Sequence, residues 1–309
     1  MLDVRRLTLL RDLADHGTVS AVAEVHRVTP SAVSQQLRQL EHEAGVALLH
    51  REGRSVRLTV AGRALVAGTE DVFAALERAE TRLRRLADRP SGPVRIACFT
   101  SALGPLAAPL PAALRAAHPE LVPAVHEAEP EHSLPALRQH RADVAVVYRY
   151  THLGAEAPSW AHTVPLLDDP LAVVLPDGHP AARADAATPV DLRDLADADW
   201  IAAPEGGSCR DATLLACRHA GFTPRTVHTC ADFGATLTLV GAGAGVALVP
   251  RLALTSPPRG VRAYDVGPPS VGRSVEAVVR RGTAGHPAIG AVLGALADAA
   301  SSRPAGRRP

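Results

Sequence analysis

The 309-residue chain contains no lysine; all 33 of its basic residues are arginine. Together with its alanine richness, this reflects GC-rich coding rather than selection for guanidinium chemistry. An excess of one charge is missing too. A formal net charge of +1 excludes a uniformly basic nucleic-acid coat protein. Cysteine is scarce, and Cys98, Cys209, Cys217 and Cys230 form no C-x-x-C pair, so a closed structural zinc site is not expected. In a reducing compartment the four read as small buried hydrophobes. Catalytic signatures are missing as well: there is no G-x-S-x-G elbow, H-E-x-x-H helix or Walker loop. Gly241-Ala-Gly243-Ala-Gly245 follows a helical pattern and precedes a strand, the reverse of what phosphate cradling needs. No enzymatic activity and no cofactor are expected. The long uncharged run 233–250 is broken by those glycines and diluted by Thr236 and Thr238, so it reads as a buried helix, turn and strand. The first residues enter a helix without an apolar signal core, which points to a cytoplasmic protein that does not contact membranes.

What is present begins at residues 18–62. Two short amphipathic helices meet across a tight turn, and the second opens with a capping Thr29 and with Pro30 at its first position, where a missing N–H costs nothing. Val33, Leu37 and Leu40 fall at i, i+4 and i+7 and should face inward. Ser31, Ser34, Gln35 and Arg38 are left on the opposite side, suited to base edges and phosphates in a major groove. A hairpin follows, with Arg51, Arg54 and Arg57 around a tip at Glu52-Gly53. Six arginines against three acidic residues between Arg27 and Arg63 make this wing locally basic.

The same segment resembles the DNA-binding domain of LysR-type transcriptional regulators. The resemblance is carried by Ala21-Val22-Ala23, Pro30-Ser31-Ala32-Val33-Ser34, Leu37-Arg38-Gln39-Leu40-Glu41, Gly45-Val46, Leu48-Leu49, Arg51, Arg54 and Leu58-Thr59-Val60-Ala61-Gly62. Gln35 departs from the arginine that the family often places after the serine of its recognition helix, which leaves the operator sequence open. The resemblance implies a dyad-symmetric double-stranded DNA site, a small-molecule effector and a homodimer or homotetramer, and it admits RNA polymerase as a further partner.

The expected fold is α/β with an all-α winged helix-turn-helix domain at the N-terminus, followed by two α/β subdomains that enclose a ligand crevice. Residues 1–58 form the DNA-binding domain and 59–89 a linker helix. Val72, Leu76, Ala79, Leu83 and Leu86 alternate four and three apart along that helix, as in a coiled-coil seam between two chains, although docking on its own chain would also use them. The turn-rich 88–93 ends the helix. Strands then alternate with helices through 90–300, arguing for a mainly parallel sheet. By the resemblance, subdomain one covers 93–164 and 266–300, and subdomain two covers 165–265. The Arg-, Pro- and Ser-rich tail 301–309 reads as disordered.

Ligands of open α/β sheets bind beyond the carboxyl ends of strands. Thr100-Ser101, Glu129-Pro130 and Tyr148-Arg149-Tyr150 follow three strands, while Gly206-Gly207-Ser208 and Asp232-Phe233 open helices across the crevice. The family's inducer pocket maps onto Thr100, Ser101, Glu129, Arg149, Ser208 and Asp232; read one at a time, such residues are equally ordinary helix caps. Arg149 could take a carboxylate, and Glu129 or Asp232 an ammonium or hydroxyl, suggesting a small carboxylate or amino acid. Arg149 and Glu129 could instead pair with each other. An alternative is a thiol-based redox sensor. Cys217 matches the resolving cysteine of peroxide-sensing family members, but Ser208 occupies the peroxidatic place and Cys209 sits one residue late. A free-standing solute-binding protein would account for only the C-terminal two-thirds.

Overall fold

The computed structural model describes residues 1–52, 55–86, 89–151, 153–154, 157–183, 185, 187–268 and 271–302. The tail from 303 and parts of the linker turn at 87–88 lie outside these residues.

Three helices open the chain: α1 (Val4–His16), α2 (Val19–His26) and α3 (Pro30–Ala44). Local chemistry sets their ends. Asp3 caps α1 through the Arg5 and Arg6 amides, Thr18 caps α2, and Thr29 accepts from the Ala32 amide with Pro30 directly inside α3. Gly17 and Gly45 adopt the left-handed conformation that ends α1 and α3 at low steric cost. Leu7, Leu10, Leu13, Val22, Val33, Leu37 and Leu40 form one buried core. Each such side chain contributes about 1.5–3 kcal/mol.

The wing is the antiparallel pair β1 (Leu49–Glu52) and β2 (Ser55–Leu58), with His50 opposite Arg57. Glu41 of α3 accepts from the Leu48 and Leu49 amides at 2.9 and 3.0 Å, which ties the wing to the recognition helix. Thr59 then caps the long α4 (Val60–Arg85) through the Gly62 amide while its hydroxyl donates to the Ala47 carbonyl. Gly62 is required there because a Cβ would run into the Leu48 carbonyl. The two faces of α4 differ. Thr69, Ala74, Glu77 and Thr81 are buried, whereas Val72 (41 %), Leu76 (45 %), Leu83 (69 %) and Leu86 (80 %) are exposed, as is Ala79.

The remainder is α/β. In chain order it contains β3 (Gly92–Cys98), the three-residue α5 (Thr100–Ala102), α6 (Leu110–Ala117), β4 (Leu121–Glu127), α7 (Pro130–Arg138), β5 (Val144–Tyr150) and β6 (Ala161–Pro176). Then come β7 (Asp199–Ala202), α8 (Ser208–His219), β8 (Arg225–Thr229), α9 (Phe233–Gly241), β9 (Ala247–Pro250), β10 (Val261–Asp265), β11 (Gly272–Arg280) and α10 (Pro287–Ser301). The main sheet runs β10-β6-β11-β5-β3-β4, with β9 also on β6 and a separate β7-β8 pair.

The sheet is mixed rather than mainly parallel. β3 pairs in parallel with β4 and β5, but β11 lies antiparallel between β5 and β6, and β9 and β10 are antiparallel to β6. β6 is also longer than its apolar pattern. Sequence pattern marks only 171–175, because Pro165, Asp168, Asp169 and Pro170 interrupt the apolar run, yet the strand extends through all of them. It thereby joins two cores. One gathers around Ile96, Leu106, Leu110, Val275 and Val292, and the other around Leu171, Val173, Trp200, Cys217 and Tyr264. We refer to these lobes as subdomains one and two.

Candidate functional site

On α3 the cap geometry and the buried Val33-Leu37-Leu40 stripe fix which side chains face outward. Pro30, Ser31, Gln35 and Arg38 are exposed, and Ser34 is half-buried beside them. The Thr29 and Ser31 hydroxyls lie 2.9 Å apart at the helix start. Arg57 is exposed on β2. Arg54 and the side chain of Arg51 lie outside the described residues. The face therefore presents hydroxyl and amide groups in the centre, with guanidinium groups on its flanks.

Where the carboxyl ends of β3, β4 and β5 meet, three of the residues singled out in the sequence come together. The Thr100 hydroxyl lies 2.7 Å from Glu127 Oε1 and 3.1 Å from Glu129 Oε1, and the Thr100 amide also donates to Glu129. Glu129 holds the N-cap place of α7 yet makes no side-chain cap bond, so its carboxylate is turned into this cluster. The Tyr148 hydroxyl donates to Glu129 Oε2 at 3.1 Å. Burial pushes the Tyr148 phenol well above its ordinary range and the Glu129 charge adds to this, while Ser208 of α8 and the Arg273 charge oppose it. Ser208 thus reaches the cluster from subdomain two. Next to it, Cys209 faces the Tyr150 hydroxyl, and burial raises both groups above their ordinary values.

Ser101 has a partner that sequence reasoning missed. Arg273 Nη2 donates to Ser101 Oγ at 2.6 Å, while Nε and Nη2 both reach Asp169 Oδ2, at 2.9 and 2.8 Å. The guanidinium lies over the Phe99 and Tyr148 rings at 4.8 and 4.5 Å, a cation–π arrangement at an almost fully buried site. Asp169 also accepts from the Leu252 amide. The available signal was an arginine at the edge of an apolar strand pattern, but only the fold supplies the aspartate more than a hundred residues away.

Two expected members stand apart from the cluster. Alternation along β5 sends Tyr148 and Tyr150 to one face and Arg149 to the other, where Arg149 pairs with Glu276 of β11 rather than with Glu129. There it lines a separate cavity of about 340 Å³ with Thr151, Ser274 and Glu276. Asp232 is exposed and caps α9 through the Ala235 amide at 2.7 Å. Among the described residues no group of His, Cys, Asp and Glu is arranged to hold a metal ion, and no helix is long and apolar enough to cross a membrane.

A winged helix-turn-helix joined by one long helix to a two-lobed α/β domain defines a DNA-binding regulator with a sensing module. Residues 4–63 match the model of the bacterial regulatory helix-turn-helix protein, lysR family, and residues 87–301 match the LysR substrate binding domain. The chain belongs to the LysR family of transcriptional regulators. It is a regulator rather than an enzyme, as are its curated relatives. The HTH-type transcriptional regulator ShiR of Corynebacterium glutamicum is 33 % identical, covering 75 % of this chain and 77 % of that protein. The dual regulator GltC of Bacillus subtilis is 26 % identical, covering 81 % of each. The dual regulator OxyR of Escherichia coli is 28 % identical over 82 % of this chain and 80 % of its own. Among solved structures, a full-length OxyR variant from Pseudomonas aeruginosa superposes with a TM-score of 0.64 at 23 % identity, covering 99 % of this chain and all of that one.

Proposed function

We propose that this regulator binds a dyad-symmetric DNA site as a dimer or tetramer and changes its DNA contacts when a small molecule enters the crevice. Ser34 and Gln35 read base edges from α3; Thr29, Pro30 and Ser31 seat the helix start; Arg38, Arg51, Arg54 and Arg57 hold phosphates. A structurally similar regulator, CbnR, is known in complex with its target DNA. The exposed stripe of Val72, Leu76, Ala79, Leu83 and Leu86 pairs with a second copy, since the opposite face of α4 is already covered by its own chain.

The crevice takes an amino acid rather than a plain carboxylate. The observation that carries this is Glu129, which is held by the neutral donors Thr100 and Tyr148, whereas Arg273 and Arg149 are already matched by Asp169 and Glu276. The ammonium would sit on Glu129, and the carboxylate at the first turn of α8, which has no side-chain cap. Titration calorimetry with a panel of amino acids and their deaminated analogues tests this. Binding of an amino acid that Glu129→Gln abolishes supports it; preference for the deaminated analogue removes it.

OxyR among the relatives favours the redox alternative, but the thiol geometry opposes it. Cys209 and Cys217 lie eight residues apart on one helix, roughly 12 Å along its axis, beyond disulfide reach unless α8 unwinds. Burial pushes the Cys217 thiol up to about 12.

A further inference from the structure

The crevice wall contributed by subdomain one carries two carboxylates that the chain itself does not neutralise. Glu127 at the end of β4 and Glu129 before α7 both approach the Thr100 hydroxyl, at 2.7 and 3.1 Å. A hydroxyl has one proton to give, so it serves only one of them. Glu129 has further neutral donors in the Thr100 amide and the Tyr148 hydroxyl, whereas among the described residues Glu127 accepts from Thr100 alone. Neither carboxylate forms an ion pair among these residues, because Arg273 is committed to Asp169 and Arg149 to Glu276. Their field is felt locally: burial pushes the Cys98 thiol up to about 12, helped by the Glu129 and Glu127 charges.

A second observation lies deeper in the same crevice. Tyr150 is only 4 % exposed, yet its hydroxyl has no hydrogen-bond partner. Hydroxyls so far from water are ordinarily paired. This one faces Cys209 in the first turn of α8, and a thiol is too weak a partner to satisfy it. The same turn offers main-chain donors. Arg210 makes the first bond within α8, to the Gly207 carbonyl at 3.1 Å, so the Ser208 and Cys209 amides precede the intrahelical ladder, and no side chain caps the helix. A carboxylate seated there would give the Tyr150 hydroxyl its missing acceptor. The two sides of the crevice thus differ in sense, anionic at Glu127 and Glu129 and anion-accepting at α8.

We propose that the effector is a basic amino acid, with its carboxylate between α8 and the Tyr150 hydroxyl, its α-ammonium on Glu129 and its side-chain cation on Glu127. This rests on the crevice reading above and narrows it. Exposure decides which carboxylate takes which cation. Glu129 is half-buried and Glu127 exposed, so the α-ammonium, close to the ligand's carboxylate, fits the inner site and the longer side chain reaches the outer one. Charge decides against a neutral amino acid. One ammonium matches one carboxylate, and α8 already meets this wall through Ser208 and Tyr148, so binding would strip water from the other carboxylate without supplying a partner. A second cation on the ligand removes that penalty.

Titration calorimetry on the full-length protein tests this with arginine, lysine and ornithine, their neutral counterparts citrulline, norleucine and norvaline, and the decarboxylated agmatine and cadaverine. At least one basic amino acid should bind about tenfold or more tightly than its neutral counterpart, the range of a charge-assisted hydrogen bond. Glu127→Gln, at an exposed position, should erase that preference. Agmatine and cadaverine lack the carboxylate and should bind far more weakly; Tyr150→Phe should bring the basic amino acids down toward them. Circular dichroism shows that each variant is folded. Neutral counterparts that bind as tightly as the basic amino acids, or a preference that survives Glu127→Gln, overturn the inference and leave the crevice reading standing. Binding of no amino acid, or preference for the deaminated analogues, removes the crevice reading and this inference with it.

Discussion

Arg273 and Asp169, 104 positions apart in the chain, meet at 2.8 Å with both side chains almost fully buried. The pair joins β11 to the middle of β6, the strand that passes between the two cores, and Arg273 continues to Ser101 in the first turn after β3. Removing one partner leaves a buried charge uncompensated. Asp169→Ala should destabilise the protein by about 3–5 kcal/mol, read as a lower midpoint in urea unfolding. An unchanged midpoint would mean that the pair is hydrated in solution.

DNA recognition separates into two kinds of change. Arg38→Ala should weaken binding to all sequences alike and reduce the salt slope by about one. Gln35→Ala should shift base preference, costing about 1–3 kcal/mol at the base it reads. Binding to randomised duplexes at several salt concentrations distinguishes them. A salt slope unaffected by Arg38→Ala would take that residue off the phosphates.

Assembly should depend on the outward face of α4. Leu76→Asp and Leu83→Asp place a carboxylate at positions exposed in the single chain, so the fold should survive while the assembled mass drops. Light scattering with circular dichroism reads both. Variants that keep their mass would assign assembly to another surface.

His140 gives the stability of the fold a pH dependence. Burial and the Arg280 and Arg11 charges depress its pKa to about 4 from 6.5, against smaller opposing effects of Asp143 and Asp12; Glu77 approaches it at 4.0 Å. The ring is neutral in the folded protein and gains its proton on unfolding. Its contribution is complete above 6.5 and is lost as pH falls toward 4. Glu77 and Asp15 run the other way: burial raises both carboxyls, so their contribution is present at low pH and lost as pH rises through the raised values. His140 also has a positive φ of 57°, which asparagine tolerates. His140→Asn should flatten the loss of unfolding free energy from about pH 7 to about pH 5. An equally steep loss in the variant would place the acid sensitivity elsewhere.

The outward face of α3 was legible because its determinants are local. Thr29 and Pro30 start α3, Gly45 ends it, and the spacing of Val33, Leu37 and Leu40 fixes which way Gln35 and Arg38 point. The 233–241 helix was equally readable from the capping Asp232 and the glycines beyond it. Thr100, Ser101 and Glu129 were recoverable as ends of strands. Arg149 stands apart from them because β5 runs on to Tyr150, so Arg149 is still within the strand and alternation sends it to the face opposite Tyr148 and Tyr150.

By itself, then, the sequence determined what neighbouring residues can settle: helix starts and stops, the winged helix-turn-helix, the alternation of strands and helices, and the apolar stripe on α4. Only the tertiary structure decided the partners of the arginines. Arg273 with Asp169, Arg149 with Glu276, and Arg280 with Glu77 are separated by 104, 127 and 203 positions, and no local periodicity encodes such distances. A buried guanidinium must find a carboxylate, but which one depends on the strand register of β11 between β5 and β6 and on where the 281–285 segment meets α4.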